Sequence, residues 1–281
     1  MSQRKISRDL VGMTFEPNTF SWTWKDVILY ALGVGAKPEG ELDYVFEGKG
    51  PKVLPTYAVI PGMMGSSGLS NFEINLAMLL HGEQGMTLHR EIPPEGRVKL
   101  TGRVRDVWDK GKAAVLVFES VAEDDNGPMF TTRATLFIRG AGGFGGERGP
   151  STAGLNAPPD RKPDHVIEEV SRPEQGAIYR LSGDLNPLHI DPDFAKMAGF
   201  EKPIMHGLCT YGFAGRALLR ALCGGDAARF KSFDARFADN VYYGDTIVTK
   251  IWRTAPGEAI VQGETQKGNV VLAQAKATYK E

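Results

Sequence analysis

The chain has 281 residues, 42% apolar and 24% charged, a globular balance with length enough for a sizeable core in one large or two ordinary domains. Lysine and arginine total 33 against 34 aspartate and glutamate. No basic excess exists to neutralise a nucleic-acid backbone or an anionic membrane, and no stretch of about 20 apolar residues could cross a bilayer.

The opening MSQRKISRDLVGM lacks the apolar run of a signal peptide. From there to residue 139 the pattern reads helix early and strands late. The stretch YALGVGAKP runs from Tyr30 to Pro38, and strand-like runs follow at 97–108, 112–123 and 129–138. Between them stand His81-Gly82 and, later, Lys110 in Asp-Lys-Gly, which reads as a hairpin tip.

Residues 140–163 are crowded with Gly and Pro and have no hydrophobic period, which predicts an inter-domain linker between domains at 1–139 and 164–281. Gly140, Gly142 and Gly145 match the G-x-G-x-x-G spacing of a dinucleotide-binding turn. That turn must be followed at once by a helix, and the polar, Gly- and Pro-rich residues here cannot form one, so nucleotide binding is not expected.

The second half repeats the first in worn form. One offset carries Tyr30, Leu32 and Pro38 onto Tyr179, Leu181 and Pro187. A His-Gly pair stands before a helix or turn in each half, at His81-Gly82 and His206-Gly207, and each half closes on a strand ending in Ala-Thr. Two copies of one fold would pack as a pseudo-dimer.

Within the second half, Asp184 and His189 lie on either side of a bend set by Asn186-Pro187. Such a bend can turn a carboxylate and an imidazole toward one small volume, as acid/base chemistry requires. A short helix follows, with Asp191 as N-cap, Pro192 first and Gly199 as stop. Capping therefore accounts for Asp191 and Asp193. A metal site built from Asp184, His189, Asp191, Asp193 and His206 is not expected, because no tight ligand pair is present.

Residues 208–222 then read as a helix apolar nearly all round, broken by Arg216 and Arg220, and so buried. Gly212 and Gly215 cost it helix propensity, which implies close backbone approach there. Gly207, at its start, could offer an amide to a substrate oxygen. Strand-like runs at 246–252, 258–265 and 269–279 close the chain. Cys209 and Cys223 share the helix, roughly 21 Å apart, and cannot pair within it. Unpaired cysteines fit a reducing compartment, and the C-terminus lacks the peroxisomal Ser-Lys-Leu address, so a cytoplasmic protein is expected.

The run Tyr-x-x-Ser-Gly-Asp-x-Asn-Pro-Leu-His-x-Asp-Pro, then Gly-Phe and His-Gly-Leu-Cys-Thr, occupies Tyr179 to Thr210. Here the chain resembles the (R)-specific 2-enoyl-CoA hydratases, the hydratase-2 branch of the MaoC-like dehydratases. The resemblance implies an α+β fold of two hot-dog domains, each a long central helix wrapped by an antiparallel sheet, packed as a pseudo-dimer. It implies reversible hydration of trans-2-enoyl-CoA to (3R)-3-hydroxyacyl-CoA with no cofactor. Asp184 and His189 would be the catalytic pair, Asn186 would orient the water and the Gly207 amide would hold the thioester oxygen. His81, Gly82, Lys110, Leu185, Pro187, Leu188 and Phe237 would contact the acyl-CoA.

In the first half, Gly35, Lys37 and Gly40 stand where Asp184, Asn186 and His189 stand in the second, so that copy would be non-catalytic. Glu47 matches a carboxylate linked to activity in relatives, in a direct or a structural role. A homodimer is expected by analogy. The rival readings are a dehydratase acting on acyl carrier protein, a thioesterase on the same fold, and a non-catalytic acyl-thioester binding subunit.

Overall fold

The structure, a computed structural model, describes residues 4–65, 67–75 and 78–281. Met1–Gln3, which open the expected first domain, lie outside the described residues. Ten strands form one antiparallel sheet: β1 (Asn18–Trp22), β2 (Leu79–Leu88), β3 (Gly96–Asp109), β4 (Ala113–Asp124), β5 (Gly127–Arg139), β6 (His165–Val170), β7 (Phe230–Phe237), β8 (Thr246–Ala255), β9 (Glu258–Thr265) and β10 (Val270–Tyr279).

Their order is β1-β3-β4-β5-β2-β7-β10-β9-β8-β6. Taken from its own outer edge, each half therefore runs first, third, fourth, fifth, second strand. The second strands meet antiparallel at the centre, with Glu83 opposite Arg236 and Gly85 opposite Asp234. This mirrored order is the pseudo-dimer that the repeat predicts, and the α+β architecture is the expected one.

Helices cover one face. The first half holds α1 (Trp24–Gly33), α2 (Pro38–Val45) and α3 (Val59–Met64); the second holds α4 (Gln175–Tyr179), α5 (Pro192–Met197) and α6 (Gly207–Cys223). Only α6 is the long central helix expected of both halves. Its counterpart in chain order is a 3₁₀ turn at Pro55–Ala58 running into α3. Pro61, which has no N–H to give, and Gly62 beside it shorten that helix. The His-Gly correspondence also fails. His81-Gly82 lie inside β2, where a bulge between His81 and Glu83 interrupts pairing with β5, whereas His206-Gly207 open α6.

Fourteen of the residues of α6 are buried, among them Gly212 and Gly215. A Cβ on Gly212 would strike Val34, and one on Gly215 would strike Thr56, which is the close approach inferred from the sequence. Arg216, only 2% exposed, bonds Glu41 of the first half and Glu169 of β6 at 2.5 Å each, and the Glu41 bond ties α6 to the first half. The repeat-related Tyr30 and Tyr179 are both fully buried, with rings 6.1 Å apart.

From Gly140 to Asp164 no strand or helix forms. The Gly-rich start of this stretch wraps around the Asp109 carboxylate, which accepts the amides of Gly143 at 2.9 Å, Gly145 at 2.8 Å and Gly146 at 3.4 Å, as well as Gly111 at 2.8 Å. Successive glycine amides form an anion nest, and here the protein's own side chain fills it. Among the described residues no helix is long and apolar enough to cross a membrane.

Candidate active site

Tyr179, fully buried at the end of α4, anchors the segment that carries the chemistry. The chain leaves it through a 3₁₀ turn (Arg180–Ser182) and reverses at Gly183, whose φ of 135° suits glycine. Asp184 follows, and its Oδ1 accepts the Asn186 amide at 3.1 Å. Asn186 in turn caps a second 3₁₀ turn (Pro187–His189), its side chain accepting from Leu188 N at 3.1 Å. Two Asx-type bonds thus build the predicted bend. The short helix after it is capped as expected, with Asp191 accepting from Asp193 N and Phe194 N and Gly199 at φ 89°.

The bend brings the pair together. A carboxylate oxygen of Asp184 and a ring nitrogen each of His189 and His206 lie within 4.8 Å of one another. His189 Nδ1 is 2.9 Å from the Ile204 carbonyl. A carbonyl can only accept, so Nδ1 carries the hydrogen and Nε2 is left with its lone pair. Burial pushes the His189 pKa down, opposed by the Ile204 bond and the Asp184 charge, which keeps the ring neutral and basic near neutrality.

His206, which no local pattern in the sequence assigns to the chemistry, is central to the site. It is 1% exposed, its ring centroid lies 3.9 Å from that of His189, and its Nε2 is 3.2 Å from the Asp184 carbonyl. The Tyr243 hydroxyl lies 3.3 Å from His206 Nδ1 and 3.1 Å from the His189 carbonyl, two acceptors that share its single hydrogen. Burial, and then His189, push the His206 pKa down to about 4. Nothing in the sequence singled out Tyr243, because it arrives from the turn before β8, far along the chain.

Asp184, His189 and His206 have residue types and spacing that could draw in a divalent ion. However, both His206 nitrogens and His189 Nδ1 already face hydrogen-bond partners, which leaves the carboxylate and His189 Nε2 as open ligands.

Asp184 and His189 face a cavity of ≈ 560 Å³, with His206 and Tyr243 behind them. One wall is the second half: Asp184, Asn186, Leu188, His189, Gly207 and Phe237. The opposite wall is the first half, largely apolar, with Met63, Leu69, Leu79, Phe118 and Leu136. Gly207 opens α6, so its amide has no partner within the helix and sits at the positive end of the dipole. Phe237 stacks edge-on to His81 at 5.1 Å between centroids, and burial pushes the His81 pKa down to about 4.

The other residues implied to contact substrate do not line this cavity. Gly82 is in β2, Leu185 and Pro187 are exposed on the bend, and Lys110 sits at the β3–β4 hairpin tip with Nζ on the Arg148 carbonyl. Glu47 is exposed in a turn away from the cavity. The first-half positions Gly35, Lys37 and Gly40 carry neither carboxylate nor imidazole.

Residues 20–140 match the family described as MFE-2 hydratase 2 N-terminal domain, and residues 155–275 match the MaoC like domain. The chain is 40% identical over 280 residues to a probable enoyl-CoA hydratase 2 of Dictyostelium discoideum, covering 96% of this chain and 95% of that protein. It is 47% identical over 269 residues to 3-hydroxyacyl-thioester dehydratase Y of Mycobacterium tuberculosis, covering 92% and 91%. The crystal structure of a MaoC-like dehydratase from Phytophthora capsici superposes with a TM-score of 0.88 at 33% identity, covering 98% of each chain.

Proposed function

The chain belongs to the two-domain hydratase-2 family of MaoC-like proteins, and we propose that it reversibly hydrates trans-2-enoyl-CoA to (3R)-3-hydroxyacyl-CoA in fatty-acid metabolism. The observation that carries this reading is the convergence of Asp184 and His189 on one cavity, opposite an apolar wall and beside the first amide of α6. The (3R) outcome rests on the family alone.

In the hydration direction, a water between the two side chains attacks C3 and gives a proton to His189 Nε2, the ring nitrogen with a free lone pair. The oxygen stays on C3 as hydroxyl, and the pair returns one proton to C2 on the same face. Electron density moves into the thioester carbonyl meanwhile, where the Gly207 amide and the α6 dipole receive it. The thioester is itself the electron sink, so the reaction asks for no redox cofactor and no metal. The apolar first-half wall accommodates the acyl chain; a cytoplasmic homodimer is part of the proposal, resting on the unpaired Cys209 and Cys223 and on family analogy.

Crotonyl-CoA tests the reading. Loss of its conjugated absorbance on adding the protein, reduced at least ~100-fold by Asp184→Ala, is the expected result. Binding without turnover would make the chain an acyl-thioester binding subunit instead.

A further inference from the structure

On β4 and β5 the inward-facing rows are apolar except at one place. On β4 every second residue from Ala114 to Ala122 is buried, and Ser120 is the only polar member of that row. On β5 the row from Phe130 to Ile138 is broken only by Thr132, which is paired directly with Ser120. On β2 next to it, Gln84 lies one pair along, opposite Ala134. All three side chains are about 4% exposed, and all three line the cavity that holds Asp184 and His189.

Ser120 Oγ is buried with no hydrogen-bond partner among the described residues. Its oxygen lies against the backbone of Gly65, where any Cβ would collide with it. A buried hydroxyl left unpaired is costly unless something outside the protein completes it. The cavity lining contains no lysine or arginine among the described residues, so a charged group would arrive without a counterion. A neutral oxygen would not.

We propose that Ser120, Thr132 and Gln84 form a polar shelf in the acyl cavity that selects thioesters whose acyl group carries a neutral oxygen function, a hydroxyl or an oxo group, along its length. The shelf deepens the acyl-thioester reading above and rests on it. Hydroxyl and amide groups both donate and accept, so either oxygen function fits the shelf. A plain hydrocarbon chain would instead offer the unpartnered Ser120 hydroxyl nothing to bond.

Equilibrium binding of saturated acyl-CoAs separates this idea from the catalytic one, because saturated chains cannot be hydrated. Plain chains of graded length are compared with chains of equal length bearing a hydroxyl or an oxo group at successive carbons. At one or more positions the oxygenated ligand binds wild type about tenfold tighter, equivalent to about 1.4 kcal/mol. In Ser120→Ala/Thr132→Val that ratio falls toward one or reverses. Reading a ratio within each protein cancels any general weakening, and wild type alone decides the matter if the double variant does not fold. A plain chain that binds at least as tightly as every oxygenated one overturns the shelf, as does a ratio the substitutions leave unchanged. Crotonyl-CoA turnover with no such preference removes the shelf and keeps the hydratase. A preference without turnover does the reverse.

Discussion

His206 holds the backbone of Asp184, its Nε2 lying 3.2 Å from the Asp184 carbonyl, while its ring stacks 3.9 Å from that of His189. Tyr243 holds the other member in the same way, through the His189 carbonyl at 3.1 Å. Neither residue needs to touch substrate to matter: together they fix the spacing of the two groups that do. His206→Phe should lower kcat about tenfold with little change in KM, and His206→Gln, which can still donate to the carbonyl, should restore most of it. Tyr243→Phe should cost a few-fold, the scale of one hydrogen bond. Equal kcat in all three variants would show that the dyad holds itself.

The pH profile should carry the signature of the buried imidazoles. Protonated His189 cannot accept a proton from water, and its pKa lies below the ordinary 6.5 because burial disfavours the charge. Activity should therefore stay level through neutrality and fall only below that value. Stability should follow with the same sign. For His81 and His206, each near 4, the unfolded chain binds protons that the folded one refuses. Their contribution is full above 6.5 and is lost as pH falls toward about 4. Melting temperatures across that window, in wild type and in His206→Gln, would check it; a wild type no more acid-sensitive than the variant would contradict the assignment for His206.

Gly207 has little room for a side chain. A Cβ there would sit 3.2 Å from Phe237 Cε1, so the ring must shift by a few tenths of an ångström. Gly207→Ala should fold, since alanine favours a helix by roughly 1 kcal/mol over glycine. Its kcat/KM should nevertheless drop tenfold or more, because the methyl group crowds the amide that receives the thioester oxygen. Restoration of activity by a smaller residue at Phe237 would identify crowding as the cause; an unimpaired Gly207→Ala would remove the amide from the reaction.

Asp109 should matter to the fold rather than to the chemistry. Amide bonds from Gly143 and Gly111, then Gly145 and Gly146, outweigh desolvation and hold its pKa at about 2. The contribution is present above the ordinary 3.8 and is lost as pH falls through about 2. Asp109→Asn should lower the melting temperature and speed hydrogen exchange at Gly143 and Gly145, while kcat for crotonyl-CoA stays put. Unchanged exchange at those amides would show that the loop holds its shape without the carboxylate.

Much of this protein was legible before any coordinate. Alternating runs gave the late strands because a sheet with one buried face must alternate, and a stretch apolar all round gave α6 because only a buried helix tolerates that. Local turn chemistry also read true: Asn186-Pro187 made the bend and Asp191 capped α5, since both act through bonds to near neighbours in sequence. The Gly-rich run forms no helix, as its composition predicts. What it does hold, the Asp109 carboxylate, comes from a hairpin more than thirty residues earlier.

Most of the misses share one cause. His206 and Tyr243 join the site, and Ser120 faces the same cavity, only because separate strands and helix ends converge in space, and no local pattern records that. Two differences are local: Pro61 and Gly62 stand where the first half would need a long helix, and pairing with β5 makes His81-Gly82 strand where His206-Gly207 opens a helix. By itself the sequence determined which groups could do the chemistry, since reactivity belongs to side chains. Which of them share a volume, and which buried oxygen is left without a partner, was decided by the tertiary structure, because distance and desolvation exist only once the two halves have closed on each other.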